Sequence, residues 1–263
     1  MFARMAIALL FASGPALNLT GLTPEEKGRV VAFEMERRNF DGYGDLTFEE
    51  EMIVENRYGQ KVARQLSVFA LEAPGDGEKV LVVFSDPADV RGVAALVHTH
   101  KSSPDDMWMY IPRSERVRRV SAENKGGSFM GTDFANEDIT HPEPEKFTGY
   151  RWLRDEVYKG QKCFVVERSP LEKSSIYTKQ VMWIDQDHYR VLKAELYNRE
   201  QQHEKTLHFL GYKRYLENHW RPSEFRMVNH FTGSTTRLIT KDWRFRVGLK
   251  DSDFTTNGLR IPR

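Results

Sequence analysis

Cys163 is the single cysteine among 263 residues, so neither an internal disulfide nor a cysteine-based zinc site can form. It sits in the alternating stretch Gln161 to Arg168, which predicts a strand carrying a buried, inert thiol. His98 and His100 stand two apart on a predicted strand and share a face, as metal ligands sometimes do. No third ligand follows at a recognisable spacing, and they read as ordinary surface or core histidines. Asp185-Gln186-Asp187 has the Asp-x-Asp form of a metal or nucleotide site. Between Val181-Met182-Trp183-Ile184 and Tyr189-Arg190-Val191-Leu192 it reads instead as a hairpin turn. Glu49, Glu50 and Glu51 supply carboxylates on both faces of a strand, but no partner can be placed across a cleft for acid and base work. There is no Gly-x-Ser-x-Gly elbow and no Gly-rich loop between a strand and a helix. No catalytic residue, metal or cofactor is assigned, and the chain is not expected to be an enzyme.

The chemistry that remains is non-covalent, and it concentrates between Asp105 and Asp138. Met107, Met109 and Ile111 alternate with Trp108 and Tyr110, so a strand here is apolar on both faces. Pro112 ends its pairing. Gly126, Gly127 and Gly131 allow a tight, mobile turn, on which Phe129, Met130 and Phe134 are spaced to form one apolar patch on a short helical turn. Such a flap beside such a strand suggests a lidded cavity, although a Met and aromatic stripe is equally the mark of ordinary core. Arg113, Arg116, Arg118 and Arg119 form the densest basic cluster. They are either charges protecting a solvated edge strand or a rim that meets anionic headgroups or an acidic partner.

The elements that must position these groups follow from periodicity. Thr23-Pro24-Glu25-Glu26 is a helix start with Thr23 as N-cap and Glu26 completing a capping box, and the amphipathic pattern runs to about Asn39. This helix should lie on a sheet. Period-two stretches predict strands near 43–57, 61–72, 78–85, 94–100, 106–111, 115–121, 147–158, 161–168, 177–185, 189–199, 204–216, 220–231 and 234–247. Short turns join most of them, which makes an antiparallel meander. A single sheet this long must curl around its apolar face into a barrel or half-barrel.

Composition narrows the class. The 39 basic and 38 acidic residues leave a net charge of +1, so nothing global points to nucleic acid. Charged residues make up 29% of the chain and fall inside most strands, which excludes an outer-membrane barrel with a lipid-facing band. No linker-like stretch divides the chain, and residues 17–263 are expected to form one domain. The apolar run Met5 to Ala12 after Arg4, followed by Ser13-Gly14-Pro15-Ala16, predicts a signal peptide over residues 1–16 and a periplasmic mature protein.

Several separate motifs then fall in one order: Trp108-Met109-Tyr110-Ile111-Pro112, Arg116-Val117-Arg118-Arg119, Gly127 to Phe134, and Glu137-Asp138. The second half adds Trp183-Ile184-Asp185, Leu192-Lys193-Ala194-Glu195, Trp220-Arg221-Pro222, Asn229-His230, Phe245 to Leu249 and Asp253-Phe254. Over residues 40 to 258 this pattern resembles the bacterial outer-membrane lipoprotein-sorting protein family, relatives of the LolA and LolB carriers. The resemblance implies a mainly β fold, a half-open and strongly curved antiparallel barrel with an N-terminal helix and a short helical lid over a hydrophobic cavity. It further implies a periplasmic carrier that shields the acyl chains of a lipoprotein or lipid for transfer towards the outer membrane. The branch looks most like proteins that accompany RND-type inner-membrane exporters, with transient membrane contact. On that basis Trp108, Tyr110, Phe129, Met130, Phe134, Trp152 and Trp183 are expected to meet the lipid, and Arg113, Arg116, Arg118 and Arg119 a headgroup or partner. The alternative is a non-carrier periplasmic adaptor that binds an exporter through the concave sheet or the basic rim.

Overall fold

The computed structural model describes residues 17–260, and the expected signal peptide at residues 1–16 lies outside them. Helix α1 (Pro24–Asn39) starts as its sequence dictates. The Thr23 hydroxyl accepts from the Glu26 amide at 3.2 Å, and the Glu26 carboxylate accepts from the Thr23 amide at 2.9 Å. The strands of the first half are β1 (Asp45–Glu55), β2 (Lys61–Glu72), β3 (Glu78–Asp86), β4 (Ala94–His98), β5 (Asp106–Ile111) and β6 (Arg116–Arg119). Those of the second half are β7 (Phe147–Tyr158), β8 (Gln161–Pro170), β9 (Lys179–Asp185), β10 (Val191–Tyr197), β11 (His203–Leu210), β12 (Lys213–Tyr215), β13 (His219–Arg221), β14 (Glu224–Asn229) and β15 (Thr235–Phe245).

Thirteen of these strands form one antiparallel sheet in the order β6-β5-β4-β3-β2-β1-β15-β14-β11-β10-β9-β8-β7, with β12 and β13 paired separately. The sheet is curved but not closed into a barrel. Its two edges, β6 and β7, are consecutive in the chain, so the segment 120–146 that joins them has to span the open side.

Two long predicted strands, 204–216 and 220–231, each divide in two. At Gly211 the backbone takes φ +64°, and a Cβ there would lie 2.1 Å from the Ser223 hydroxyl, so the chain turns out of the large sheet. Leu216 and Glu217, both at positive φ, then close the β12–β13 hairpin. The flap also differs in form from the helical turn its spacing suggests. Ser128 bridges to Ala135, and the tip turns through Met130 (φ 51°) and Gly131 (φ 76°). Helical character in the lid is confined to the 3-10 turns Ala122–Asn124, Asn136–Asp138 and Pro144–Lys146.

The concave side carries the main apolar mass in two halves. On one, Val31, Ala32 and Met35 of α1 pack with Phe147, Phe164, Val166, Met182 and Ile184. The approach is close because residue 28 is glycine: a Cβ there would fall 2.6 Å from the Trp152 amide nitrogen on β7. On the other half, Leu66, Val68, Ala70, Val80, Val82, Val97 and Met107 share a cluster with Phe129. The convex side of β3–β6 is covered by the C-terminal segment, which buries Phe254 and Leu259 against Leu81, Leu96 and Trp108.

Candidate ligand-binding cavity

Between the two apolar halves, under the 120–146 segment, lies a cavity of about 590 Å³. That is within the range of about 300–1,000 Å³ typical of small-molecule sites. Its walls come from inward positions at every second residue: Leu46, Phe48, Glu50 and Met52 on β1, Leu66, Val68 and Ala70 on β2, and Ala194 and Leu196 on β10. Met35 of α1 and Phe40 at its C-terminal cap close one side, and the flap closes another.

The flap is held by a small hydrogen-bond system that sets two phenyl rings apart. Phe129 donates its amide to the Phe134 carbonyl at 2.8 Å, and the Thr132 hydroxyl donates to the Phe129 carbonyl at 2.7 Å. Phe129 enters the cluster of β1–β5, its ring centroid 6.0 Å from that of Phe84, while Phe134 enters the cluster under α1. One loop therefore staples both halves of the trough. Asp133 latches it to β15, accepting from the Thr236 hydroxyl at 2.7 Å and from Ser234 at 2.5 Å, with its own amide donating to Thr236 at 3.0 Å. At the helix side, the His141 ring stacks on Phe40 with centroids 3.6 Å apart, and its Nε2 lies 2.6 Å from Glu36.

Most of the lining surface is apolar, but charged and polar side chains enter it as well. Arg221 is buried among Phe40, Tyr43, Trp243 and Phe245 and donates to the Asn39 carbonyl at the end of α1. Burial holds its pKa below the usual arginine value. Arg168 is also buried, with Nε donating to Gln180 at 3.0 Å and the guanidinium 3.6 Å from the Phe147 ring centre. Among the described residues it has no carboxylate partner, and its Nη1 finds no acceptor. Glu50 carries a carboxyl on the wall whose pKa burial pushes up to about 8.

Of the residues expected to meet a lipid, Phe129 and Phe134 line the cavity. Met130 lies beside it, half-buried, its carbonyl accepting from Arg64 at 2.5 Å. Trp108 and Tyr110 point to the convex side under the C-terminal segment, and Met107 takes the inward position instead. The parity is reversed because β5 is apolar on both faces, and only the covering segment decides which is which. Trp183 is on the convex side of β9, with the Lys193 ammonium 3.4 Å from its ring centre and its indole donating to Glu156 at 3.1 Å. Trp152 is at the flank of α1, with Lys27 3.7 Å from its ring centre and its indole donating to Asp155 at 2.8 Å. For both tryptophans the aromatic type suggested a pocket, whereas charged side chains cover the rings.

The arginines lie away from the cavity lining, at the β6 edge. Arg119 pairs with Asp106, and Arg113, Arg116 and Arg118 are exposed. The groups weighed for metal or covalent chemistry are engaged otherwise. His98 Nε2 lies 3.0 Å from the Phe254 carbonyl and His100 Nδ1 2.6 Å from Asp76. Asp185 caps a turn, accepting from the amides of Asp187, His188 and Arg190. Cys163 is fully buried, and burial pushes its thiol up to about 11. Among the described residues no cluster of three His, Cys, Asp or Glu side chains could hold a metal. None of the described helices is long and apolar enough to cross a membrane.

Reasoning from the sequence weighed Glu50 only as one of three strand carboxylates without placing it in the cavity, and it passed over Arg168. Glu50 was detectable: Leu46, Phe48 and Met52 alternate on β1, and Glu50 falls on their face. Arg168 follows Phe164 and Val166 at the same period on β8.

A family model described as "Uncharacterized protein" matches residues 76–261. No curated protein matches the chain. Among solved structures, an outer membrane lipoprotein-sorting protein domain from Vibrio parahaemolyticus is 44% identical with a TM-score of 0.88, covering 90% of this chain and 100% of its own. A DUF1329 family protein from Desulfovibrio piger is 30% identical with a TM-score of 0.84 over the same shares. A LolA superfamily protein from Nitrosomonas europaea, 21% identical, shares the fold with a TM-score of 0.70, covering 88% of this chain and 98% of its own. The apolar trough, the helix that flanks it and the flap that closes it are thus set in a LolA-like fold, and the chain belongs to the outer-membrane lipoprotein-sorting protein family.

Proposed function

We propose that the protein is a carrier that holds the acyl chain of a lipid or lipoprotein in the cavity between its flap and its curved sheet, in the periplasm, for delivery towards the outer membrane. The observation that carries this reading is the apolar volume of about 590 Å³ enclosed by strand positions that would otherwise be packed core. A folded chain leaves such a space only at a cost in dispersion and burial, which a bound apolar group offsets at about 0.8 kcal/mol per methylene. The lipoprotein-sorting relative supports the same ligand class. Family resemblance adds an RND-type exporter as the donor or receiver of the ligand, with the exposed Arg113, Arg116 and Arg118 as the surface that meets a headgroup or partner.

The test is direct. The chain, expressed in the periplasm and purified without detergent, should release a stoichiometric lipid on extraction, where an unrelated β-rich periplasmic control releases none. After delipidation it should take up a fluorescent acyl probe, and Ala194→Trp, which fills the cavity from β10, should cut uptake about tenfold or more while the far-ultraviolet dichroism stays unchanged. An empty protein that ignores the probe would sink the carrier reading.

A further inference from the structure

Glu50 sits on β1, which has strands on both sides, and so in the wall of the trough rather than at its rim. Its residue is 7% exposed, and among the described residues it makes no hydrogen bond and no ion pair. The cross-strand neighbours explain why. Leu66 on β2 offers nothing polar. Thr240 on β15 has its hydroxyl committed, donating to the Pro222 carbonyl at 2.9 Å and accepting from the Trp243 indole at 3.1 Å. Along the strand, Phe48 and Met52 flank it on the same face. Its carboxyl oxygens are not among the sealed, unsatisfied polar atoms of the wall, so they open onto the cavity, and a carboxyl turned into an apolar space with no protein partner is unfavourable unless something in that space meets it.

We propose that Glu50 is a recognition residue inside the cavity, and that the ligand is an apolar molecule bearing a neutral oxygen function, an alcohol or a carbonyl, that hydrogen-bonds to the Glu50 carboxyl on the wall. The proposal rests on the carrier reading and narrows its ligand class.

The choice of a neutral group follows from what else faces the cavity. A cationic amine would share the cavity with Arg168 and Arg221, buried guanidiniums with no carboxylate partner among the described residues, while Glu78, Glu137, Asp138 and Glu145 also reach the lining. Of the other lining cations, Lys125 pairs with Glu172, Lys146 with Asp105 and Arg190 with Asp185, Arg221 donates to the Asn39 carbonyl, and Lys101 makes no ion pair among the described residues. An anionic group fits Arg168 and not Glu50. A neutral hydroxyl or carbonyl suits Glu50, because burial pushes that carboxyl up to about 8 and so favours at pH 7 the protonated form that can both donate and accept.

The experiment compares stearic acid with its 2-hydroxy, 12-hydroxy and 12-oxo derivatives, each competed at pH 7 against a fluorescent acyl probe on the delipidated chain. At least one oxygenated acid should bind the wild type about tenfold tighter than stearic acid, the size of one good buried hydrogen bond. Glu50→Gln should keep that preference. Glu50→Leu should lose it, bind stearic acid at least as well as the wild type, and melt no lower. Failure of every oxygenated acid to outbind stearic acid overturns the proposal and leaves the carrier reading standing. So does a preference that survives in Glu50→Leu, or a Glu50→Leu protein that melts well below both others, which would mark a structural carboxyl. If none of the acids displaces the probe, the carrier reading falls and this inference with it.

Discussion

Glu50 and Arg168 are ionisable side chains set in a largely apolar wall without an ion-pair partner among the described residues, and Glu50 makes a sharp prediction about pH. Its carboxyl has an ordinary value of 4.5 and is pushed up to about 8 by burial. Between those values the folded chain keeps a proton that the unfolded chain has released, so the stability tied to the neutral form is present below about pH 4.5 and lost as pH rises towards 8. Glu143 shifts in the same direction, so the slope of the wild type alone would not isolate Glu50. The comparison with Glu50→Gln does. Melting midpoints of the two should nearly coincide at pH 5 and separate as pH rises, with Glu50→Gln the more stable at pH 8.5 by up to a few kcal/mol. A constant gap across that range would mean the carboxyl is not buried as described.

At the scale of the element, the flap decides access. Phe129 and Phe134 pin it to opposite halves of the trough, and Asp133 ties it to β15 through Ser234 and Thr236. Helix α1 is the fixed counterpart, held against β7 by the close approach at Gly28 and at its end by Arg221 on the Asn39 carbonyl. Asp133→Ala removes the latch and leaves two hydroxyls without their acceptor, at a cost of about 1–3 kcal/mol if they stay buried. Amide exchange should quicken across residues 126–138 while α1 stays protected, and a bound acyl probe should leave several times faster. Unchanged exchange there would show that the two phenyl rings alone hold the flap.

The whole molecule is close to electrically neutral, with a net charge of +1, so long-range attraction to a membrane or partner must come from local patches. The β6 edge is such a patch, because Arg116 and Arg118 are exposed there and make no ion pair among the described residues. It is also one of the two sheet edges between which the lid is strung. Reversing both charges, Arg116→Glu with Arg118→Glu, should slow transfer of a loaded probe to anionic vesicles about tenfold at low salt, with a smaller effect at high salt. Uptake from solution should stay unchanged, since neither residue lines the cavity. Equal slowing onto neutral vesicles would count against a headgroup contact.

Local chemistry along the chain determined much of this molecule by itself. The Thr23–Glu26 capping box, most of the period-two stretches and the Asp185 turn act over a few residues and stand where their sequence puts them, whereas the stretches 204–216 and 220–231 each break in two. The motifs between Trp108 and Asp138 and after Trp183 were enough to mark the family, and with it an open curved sheet with a helix and a lid. Which face of each strand turns inward was another matter. Trp108, Tyr110 and Trp183 lie on strands apolar on both faces, where alternation states that two faces exist and not which is concave. That choice is made by a C-terminal segment more than 130 residues away from β5 and by charged side chains laid over the β9 tryptophan. Glu50 shows the same limit from the other side: its parity was visible among three glutamates, but only the tertiary structure deprives it of a partner, because hydrogen-bonding partners across a sheet are set by register and not by neighbours in sequence.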